Sequence, residues 1–229
     1  MAAYDAICFD LDRTLCEPTQ DPAALLETTF DRAGCDPFCS PADLRAAIPA
    51  LPTAETDREF YENLFAEVTQ RSETTIDAAQ VPTLADAYLE CTDPTAVEFR
   101  PGAAAALEYA RERAQVALIT NGGRKTQTQK LQTLDIADAF DVRVFTEPSA
   151  GIYPKPDAAP FEYALGELEA TPDRALHIGD SVHADIAGAN AMGLDSALVA
   201  TDGGTDVTDG NGHRPTYELE SLEAFESII

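Results

Sequence analysis

The sequence has no tryptophan and little lysine, and its basic residues are far outnumbered by its acidic ones. Of the 229 residues, 15 are Lys or Arg and 41 are Asp or Glu, which gives a formal net charge of −26. Binding to a nucleic-acid backbone or to an anionic membrane surface depends on clustered Lys and Arg side chains. The composition therefore argues against both nucleic acid and membranes as partners.

This acidity does not indicate a disordered chain, since hydrophobic residues make up 45% and charged residues 24% of the sequence. The lysines are Lys125, Lys130 and Lys155, and the acidic residues are spread along the whole chain. An acidic, lysine-poor composition is typical of proteins that work in concentrated salt, where a screening length of about 3 Å at 1 M damps self-repulsion. We expect a halophilic protein; the alternative is an ordinary acidic one.

Long hydrophobic runs are absent as well, so the sequence predicts no transmembrane helix, which would need about 20 consecutive apolar residues. The N-terminus has no basic region before its first apolar segment, and we do not expect a signal peptide there. The five cysteines form no disulfide framework, and no second Cys or His pair lies near Cys35 and Cys39 to complete a zinc site. We therefore expect reduced cysteines and a cytoplasmic protein.

Short apolar runs alternate with helical patterns over most of the chain. Apolar residues in immediate succession are typical of strands that are buried on both faces of a parallel sheet. Such runs occupy residues 6–9, 116–120, 142–145, 175–178 and 197–199. Helical patterns occupy residues 101–113, 124–134, 157–168 and 183–192. The alternation predicts an α/β protein with a doubly wound, Rossmann-like parallel sheet.

Residues 17–97 interrupt this alternation, because they contain no strand-like apolar run. They contain helical patterns instead, at 23–33, 60–69 and 81–89. We expect an all-helical insertion after the first strand, with the α/β core formed by residues 1–16 and 98–229. The aromatic side chains of Phe60, Tyr61 and Phe65 are expected in the core of this insertion rather than in a base-stacking surface.

Polar side chains follow the predicted strands at their carboxyl ends, where open α/β sheets bind their ligands. These residues are Asp10, Asp12, Thr120, Lys155, Asp180 and Asp185. Carboxylates at close range repel one another, so such a cluster needs a cation or a protonated member. Oxygen ligands favour a hard ion, and a few carboxylates together with a phosphate substrate suit Mg2+. Lys155 adds a positive charge for a phosphoryl oxygen, and the Thr120 hydroxyl is a hydrogen-bond donor to the same group.

In their order along the chain, these residues match four motifs. The motifs are Asp10-x-Asp12-x-Thr14, Thr120-Asn121-Gly122, Lys155-Pro156 and Gly179-Asp180-Ser181-x3-Asp185. With them the sequence resembles the haloacid dehalogenase-like hydrolase superfamily over residues 1–16 and about 98–229. The resemblance implies that residues 17–97 are the helical cap of that family. The motif set is specific for the superfamily and says little about the substrate.

The resemblance implies a Mg2+-dependent phosphatase that hydrolyses small phosphorylated metabolites through an aspartyl phosphate. Asp10 would be the nucleophile and a metal ligand, and Asp12 would be the general acid and base. Asp12 would also give its backbone carbonyl to Mg2+. Asp180 would bind the metal directly, and Asp185 directly or through a water. Lys155 would neutralise the charge on Asp10 and on the phosphate.

The resemblance also implies phosphate binding by the second motif. Thr120 would donate its hydroxyl to the phosphate, and Asn121 and Gly122 would help through their backbone. Arg13 stands where the family usually has Gly, and it either contacts the substrate or faces solvent.

The sequence does not decide the roles of three further polar residues. Arg124 and Lys125 follow the second motif at the start of a helix, and they either contact an anionic substrate or are merely solvated. His183 follows Asp180, and we expect it at the surface rather than in the site.

Two other functions compete with a phosphatase: a sugar-phosphate mutase of the same fold, and a non-catalytic regulatory relative. Mutases of this family are expected to carry a cap His just after the first motif, whereas residues 16–97 contain no His. The presence of every catalytic residue argues against a regulatory relative. Dehalogenase members lack an acid at the position of Asp12, because their leaving group needs no proton.

Overall fold

A computed structural model describes residues 4–72, 77–201 and 212–229. Within this part of the chain the strands are β1 (Ala6–Phe9), β2 (Cys16–Pro18), β3 (Val97–Phe99), β4 (Gln115–Thr120), β5 (Val142–Phe145), β6 (Ala175–Gly179), β7 (Asp195–Val199) and β8 (Tyr217–Leu219). The α-helices are α1 (Pro22–Ala33), α2 (Pro41–Ala47), α3 (Asp57–Arg71), α4 (Val81–Cys91), α5 (Ala103–Arg111), α6 (Arg124–Thr133), α7 (Ala159–Glu167) and α8 (Ala187–Met192). None of these described helices is both long and apolar enough to cross a membrane.

The main sheet has the strand order β5-β4-β1-β6-β7-β8, and each neighbouring pair in it is parallel. Ile7 of the central strand β1 lies opposite Val116 of β4 and Leu176 of β6. The chain therefore builds the sheet outward from β1 in both directions, which confirms the predicted doubly wound α/β fold. The carboxyl ends of β1, β4 and β6 lie side by side at one edge of the sheet.

Side chains of the central strands enter two different hydrophobic cores, one on each face of the sheet. Ile7 and Phe9 belong to a cluster that also contains Phe225, whereas Ala6 and Cys8 belong to a second cluster together with side chains of α7. All four side chains of β1 are buried. This explains why the apolar runs in the sequence are uninterrupted, since both faces of the sheet are covered.

The chain divides into two compact units. The α/β unit consists of the residues up to Glu17 together with Val97–Ile229, and the helical unit is Pro18–Ala96. β2 and β3 pair with each other in a separate small sheet where the chain passes from one unit to the other. The ends of the segment expected to be entirely helical are therefore short strands, which have too few apolar residues to be visible as a sequence pattern.

The helical unit has its own hydrophobic core, in which Leu26, Phe65 and Leu84 are buried. Phe60 and Tyr61 are partly buried against the same core, in agreement with the expected structural role of these aromatic residues. Side chains cap three of its helices: Asp21, Ser40 and Thr56 accept a hydrogen bond from the backbone at the start of α1, α2 and α3. Asp77 does the same for the 3-10 turn Ala78–Gln80 before α4. α2 was absent from the sequence-based expectation, because it spans only 7 residues and rests on this capping.

Two helices of the α/β unit differ from the sequence-based prediction. α5 begins at Ala103, because Gly102 has a positive φ of 80° and a Cβ there would lie 2.3 Å from the backbone N of Glu223. The helix expected at 183–192 is in two parts, a π-helical turn over Val182–Ile186 followed by α8. The Ser181 side chain caps this turn by accepting a hydrogen bond from the backbone N of Ala184.

Candidate active site

The candidate site lies at the carboxyl ends of three neighbouring strands. Asp10 follows β1, Thr120 is the last residue of β4, and Asp180 follows β6. Because these strands are parallel neighbours, their carboxyl ends bring the three side chains to the same edge of the sheet. Lys155 comes from the segment between β5 and α7, and Asp185 from the turn after β6.

Lys155 places a buried ammonium group between two carboxylates. Its Nζ donates to Asp10 Oδ1 and to Asp185 Oδ1, each at 2.7 Å, and to the backbone carbonyl of Ile119 at 2.6 Å. All three donor hydrogens of the ammonium therefore have an acceptor. Burial alone would lower the pKa of Lys155, but the charges of Asp10 and Asp185 outweigh it and raise the pKa above its ordinary value.

Asn121 fixes the backbone of Lys155 through two hydrogen bonds. Its side-chain Nδ2 donates to the carbonyl of Lys155 at 2.9 Å, and its Oδ1 accepts from the Lys155 backbone N at 2.7 Å. The peptide bond between Lys155 and Pro156 is cis. The structure thus gives the Asn121 side chain a role in holding Lys155, beside the backbone contribution to phosphate binding that the sequence suggested.

Three carboxylates form a cluster that fits a metal ion: oxygens of Asp10, Asp180 and Asp185 all lie within 4.8 Å of one another. Burial raises the pKa of Asp10 above its ordinary value; Lys155 opposes this rise and the charge of Asp185 adds to it. Burial, and then the charge of Asp185, also raises the pKa of Asp180. Burial and the neighbouring carboxylate thus both disfavour the charged forms of Asp10 and Asp180. An oxygen-only set of carboxylates is the donor type that Mg2+ takes in proteins.

Asp185 is fixed through both of its oxygens. Oδ1 contacts Lys155 and His177 Nε2, the latter at 2.9 Å, and Oδ2 accepts from the backbone N of Ser181 at 3.0 Å. Burial opposes ionisation of this group, but Lys155 and His177 outweigh it and hold the pKa of Asp185 below its usual value. A Cβ on Gly179 would lie 2.1 Å from Asp185 Cγ, so the Gly of the fourth motif makes room for this carboxylate.

Asp10 has two further contacts that hold its carboxylate in place. Its Oδ2 accepts a hydrogen bond from Thr14 Oγ1 at 3.1 Å, and both residues are buried. The backbone N of Asp10 donates to the carbonyl of Ile178 at 2.9 Å, which ties the start of the loop to β6. Thr14 of the first motif therefore orients the group that the sequence identified as the nucleophile.

Asp12 is half-exposed, and its carboxylate is not among the three clustered carboxylates. Its Oδ1 accepts from Lys130 Nζ at 2.5 Å, and its Oδ2 accepts from Gln127 Nε2 at 2.6 Å. Gln127 Nε2 also donates to Thr120 Oγ1 at 2.7 Å. Two side chains of α6 therefore hold the carboxylate that the sequence identified as the acid and base.

Arg13 adopts the left-handed backbone conformation, with φ of 64°, which Gly accepts more readily than other residues. Its Nε lies 3.6 Å from Asp180 Oδ2, and its side chain is 45% exposed. Arg100, whose side chain is mostly buried, donates to the carbonyl of Arg13 and, at 2.7 Å, to the carbonyl of Ala200. The loop after β1 is thus held in its unusual conformation by a residue that the sequence analysis did not identify.

The remaining polar residues named from the sequence lie outside the carboxylate cluster. Arg124 pairs with Glu147, with 2.5 Å between Nη2 and Oε2, and its guanidinium lies over the ring of Phe145 at 4.8 Å. Lys125 and His183 are exposed. The geometry therefore gives Arg124 a carboxylate partner within the protein and leaves Lys125 in solvent.

Sequence reasoning missed four residues of this site: His177, Gln127, Lys130 and Arg100. His177 left a visible signal, since it is a polar residue inside the apolar run of β6. Gln127 and Lys130 also left one, since their i, i+3 spacing places them on one face of the helix after the second motif. Arg100 left none, because its partners Arg13 and Ala200 are distant in sequence.

With this geometry established, comparison with known proteins gives a consistent result. A family model described as haloacid dehalogenase-like hydrolase matches residues 4–193. The chain is 32% identical over 131 residues to the pyrimidine 5'-nucleotidase YjjG of Escherichia coli, a match that covers 56% of each protein. It is 31% identical over 129 residues to the ribulose-1,5-bisphosphate 5-phosphatase of Halopiger xanaduensis, which covers 56% of this chain and 53% of that protein. The chain spans about half the length of these curated relatives.

Among solved structures, the fold is similar to that of the HAD hydrolase YfnB from Bacillus subtilis, whose crystal form is described as bound to magnesium. The TM-score is 0.72 at 22% sequence identity, and the match covers 98% of both chains. At this level of identity the similarity concerns the fold alone.

Proposed function

The chain belongs to the haloacid dehalogenase-like hydrolase family, and from this premise we propose that it is a Mg2+-dependent phosphatase of small phosphorylated metabolites. One observation carries the proposal: the carboxylates of Asp10, Asp180 and Asp185 lie within 4.8 Å of one another, and Lys155 is buried against two of them. Such a site offers a nucleophile, a fixed positive charge and a set of hard oxygen ligands at one sheet edge.

In the first half of the reaction, an oxygen of Asp10 attacks the phosphorus, and the bond from phosphorus to the leaving oxygen breaks. Asp12 gives a proton to that oxygen, so that the product leaves as a neutral alcohol and Asp10 carries an aspartyl phosphate. Lys155 offsets the negative charge on Asp10 and on the phosphoryl oxygens. The Thr120 hydroxyl donates a hydrogen bond to the phosphoryl group, with the backbone of Asn121 and Gly122 beside it.

In the second half, a water attacks the phosphorus of the aspartyl phosphate, and the bond to the Asp10 oxygen breaks. Asp12, now a carboxylate, takes a proton from this water and is thereby restored to its acid form. Inorganic phosphate is released and the Asp10 carboxylate is regenerated. The two carboxylates of the first motif therefore do separate work, one as nucleophile and one as proton carrier.

The residues that would hold Mg2+ are Asp10, Asp180 and Asp185 together with the backbone carbonyl of Asp12. Bound Mg2+ supplies the charge neutralisation that a phosphoryl group needs as it is transferred. Both oxygens of Asp185 accept hydrogen bonds within the protein. Asp185 would contact the metal ion either directly or through a water. The donor set fits this ion, since three carboxylates lie together and the buried ammonium group of Lys155 contacts two of them.

We propose that the helical unit is the cap of the enzyme, with residues 17–97 as its expected extent. The matched nucleotidase and bisphosphate phosphatase are named for small phosphorylated substrates, which supports the same substrate class here. These two proteins are named for different substrates, so the proposal names a substrate class and no single substrate.

The test is phosphate release from a panel of phosphorylated metabolites with Mg2+ in high salt, comparing the wild-type protein with Asp10→Asn. We expect release by the wild type that stops on addition of EDTA, and only background release by Asp10→Asn. Asp5→Asn is the matched control, because Asp5 is an exposed carboxylate just before β1, at the opposite end of the strand from the site. This control should keep wild-type activity.

Three outcomes would overturn the proposal. Full activity in Asp10→Asn would exclude the aspartyl-phosphate mechanism. An isomerised sugar phosphate formed without free phosphate would identify a mutase. No turnover of any panel member, together with no Mg2+ binding by calorimetry, would favour a regulatory relative.

A further inference from the structure

We propose that Gln127 and Lys130 are positioning residues of this reaction: together they hold the Asp12 carboxylate, and Gln127 also orients the Thr120 hydroxyl. The inference rests on the proposed function, since it concerns how the same site is held ready. In this proposal, one face of α6 aligns the Asp12 carboxylate with the phosphate-binding hydroxyl of Thr120.

Gln127 and Lys130 lie three residues apart on α6, and their side chains leave the helix on the same face. Lys130 Nζ contacts Asp12 Oδ1 at 2.5 Å, and Gln127 Nε2 contacts Asp12 Oδ2 at 2.6 Å. Each oxygen of the carboxylate thus has its own donor. Two contacts on two different oxygens fix the rotation of the carboxylate as well as its position, which a single contact would not do.

The burial of Gln127 indicates that this amide is present for its contacts. The residue is 1% exposed, and its Oε1 has no hydrogen-bond partner among the described residues. An unpartnered buried polar atom destabilises a protein, so an apolar side chain would serve better if α6 needed only to pack here. Gly122 makes the arrangement possible, because a Cβ on it would lie 2.4 Å from Gln127 Cδ and Nε2.

The hydrogen-bond inventory of Thr120 shows what Gln127 does at the second contact. A hydroxyl has one hydrogen to donate and two lone pairs to accept with. Thr120 Oγ1 accepts from Gln127 Nε2 at 2.7 Å and from the backbone N of Gly122 at 3.4 Å. Since both contacts use lone pairs, the hydrogen of Thr120 is left for an outside acceptor, as phosphate binding requires.

This arrangement predicts a dependence on the leaving group. Aryl and acyl phosphates, such as p-nitrophenyl phosphate and acetyl phosphate, release stable anions and need little help from a general acid. Alkyl phosphates release an alkoxide unless Asp12 protonates it. Loosening Asp12 should therefore slow alkyl phosphates more than aryl or acyl phosphates, whereas a general loss of folding would slow all of them alike.

The experiment compares Lys130→Met and Gln127→Leu with the wild type on both classes of substrate. For Lys130→Met we expect the ratio of kcat on alkyl to kcat on aryl or acyl phosphates to fall about tenfold, a fraction of the full effect of a general acid, with KM unchanged. For Gln127→Leu we expect the same fall in the ratio and, because Thr120 is released too, weaker competitive inhibition by inorganic phosphate. Lys130→Arg keeps a cation and should restore most of the ratio.

Lys125→Met is the matched control, since it removes an exposed lysine from the same helix and should leave both the ratio and the phosphate inhibition unchanged. Equal losses on all substrates, or no loss in either variant, would overturn the positioning role while leaving the phosphatase proposal intact. Absence of phosphate release from the wild type on every substrate is the separate failure of the proposed function. Circular dichroism and unfolding midpoints of each variant establish that the fold is unchanged.

Discussion

The two units of the chain handle charge in opposite ways. The α/β unit buries Asp10, Lys155 and Asp185 in contact with one another. In the described part of the helical unit, Thr29 is the single buried polar residue, and its hydroxyl bonds to the carbonyl of Leu25. Ion pairs of the helical unit, such as Arg58 with Asp86, lie at the surface. The α/β unit thus has buried charges at its site in addition to surface pairs such as Arg124 with Glu147, whereas these ion pairs of the helical unit are exposed to solvent.

Replacing Lys155 with Met should have the largest effect, because it removes the cation from the buried charges of the α/β unit. Asp10 and Asp185 would each lose a contact of 2.7 Å. Leaving a buried charge without its partner destabilises a protein by about 3–5 kcal/mol. Phosphate release should fall to background, and denaturation in EDTA should show the loss of stability. Lys125→Met, at an exposed lysine, should change neither.

The stability deficit of Lys155→Met should also depend on pH. Burial raises the pKa of Asp10, and Lys155 is the cation that opposes this rise. A carboxyl group whose folded pKa is raised contributes stability below its unfolded pKa of about 4 and loses it as pH rises through the folded pKa. The deficit relative to wild type should therefore be smaller at about pH 5 than at about pH 8. Equal deficits at the two pH values would contradict this.

Among changes in the helical unit, Phe65→Ala should have the largest effect. It should lower stability without changing Mg2+ binding. Phe65 is fully buried beside Tyr88, and truncating such a side chain costs about 3–5 kcal/mol. Denaturation should detect this loss, whereas the Mg2+ affinity measured by calorimetry should stay at the wild-type value. Phe60→Ala, at a partly exposed position on the same helix, should cost less. A fall in Mg2+ affinity in Phe65→Ala would contradict the expectation that the core of the helical unit does not affect metal binding.

Salt should act on the charges of both units together. A phosphate ester is an anion, and a net charge of −26 opposes its approach in dilute salt. If the protein is halophilic, kcat/KM should rise between about 0.1 and 2 M KCl as screening increases. Steady-state kinetics, with circular dichroism at each salt concentration, provide the measurement. A flat or falling profile with an intact fold would contradict a halophilic protein and leave the phosphatase proposal standing.

Arg13→Gly should have a smaller effect, confined to the α/β unit. The guanidinium lies 3.6 Å from Asp180 and is 45% exposed, so it competes only weakly with a metal ion for this carboxylate. Removing it should tighten Mg2+ binding about two- to fivefold in calorimetry, and Gly accepts the left-handed backbone without strain. Arg174→Gln removes the same charge before β6, away from the site, and should leave affinity unchanged. Weaker binding in Arg13→Gly would show that Arg13 supports the metal site.

Arg58→Gln should have the smallest effect of all. Arg58 pairs with Glu62 and Asp86 on the surface of the helical unit, where solvent screens the charges. We expect no measurable change in the unfolding midpoint or in phosphate release. A clear loss of stability would show that surface pairs of the helical unit contribute more than their exposure suggests.

Much of the fold could be predicted, because a strand buried on both faces needs consecutive apolar residues and therefore leaves a visible pattern. The strand-end positions of Asp10, Thr120 and Asp180 followed from this pattern, and the structure brings them to one sheet edge. The chemical roles of these three residues stay predictions. The short strands β2 and β3 were missed, because three residues are too few to show a periodicity.

The i, i+3 spacing of Gln127 and Lys130 shows that they share a helix face, but the sequence does not show which residues they contact. Gln127 reaches Asp12 across 115 positions of the chain, and Arg100 reaches Arg13 across 87. No local pattern encodes a contact that depends on how distant segments meet. The left-handed backbone at Arg13 was equally hidden, since an Arg side chain gives no sign of it.

The small β2–β3 sheet has a consequence for how such a protein can change over time. The backbone N of Arg100 donates to the carbonyl of Leu15 at 3.0 Å, and Thr19 N donates to the carbonyl of Ala96 at 2.8 Å, so the chain leaves and re-enters the α/β unit at adjacent points. A segment whose ends are neighbours can be lengthened, shortened or replaced without displacing the strands on either side. The helical unit is therefore an insertion that can be exchanged as a whole. Changes of length or sequence in the helical unit therefore need not disturb the residues at the sheet edge.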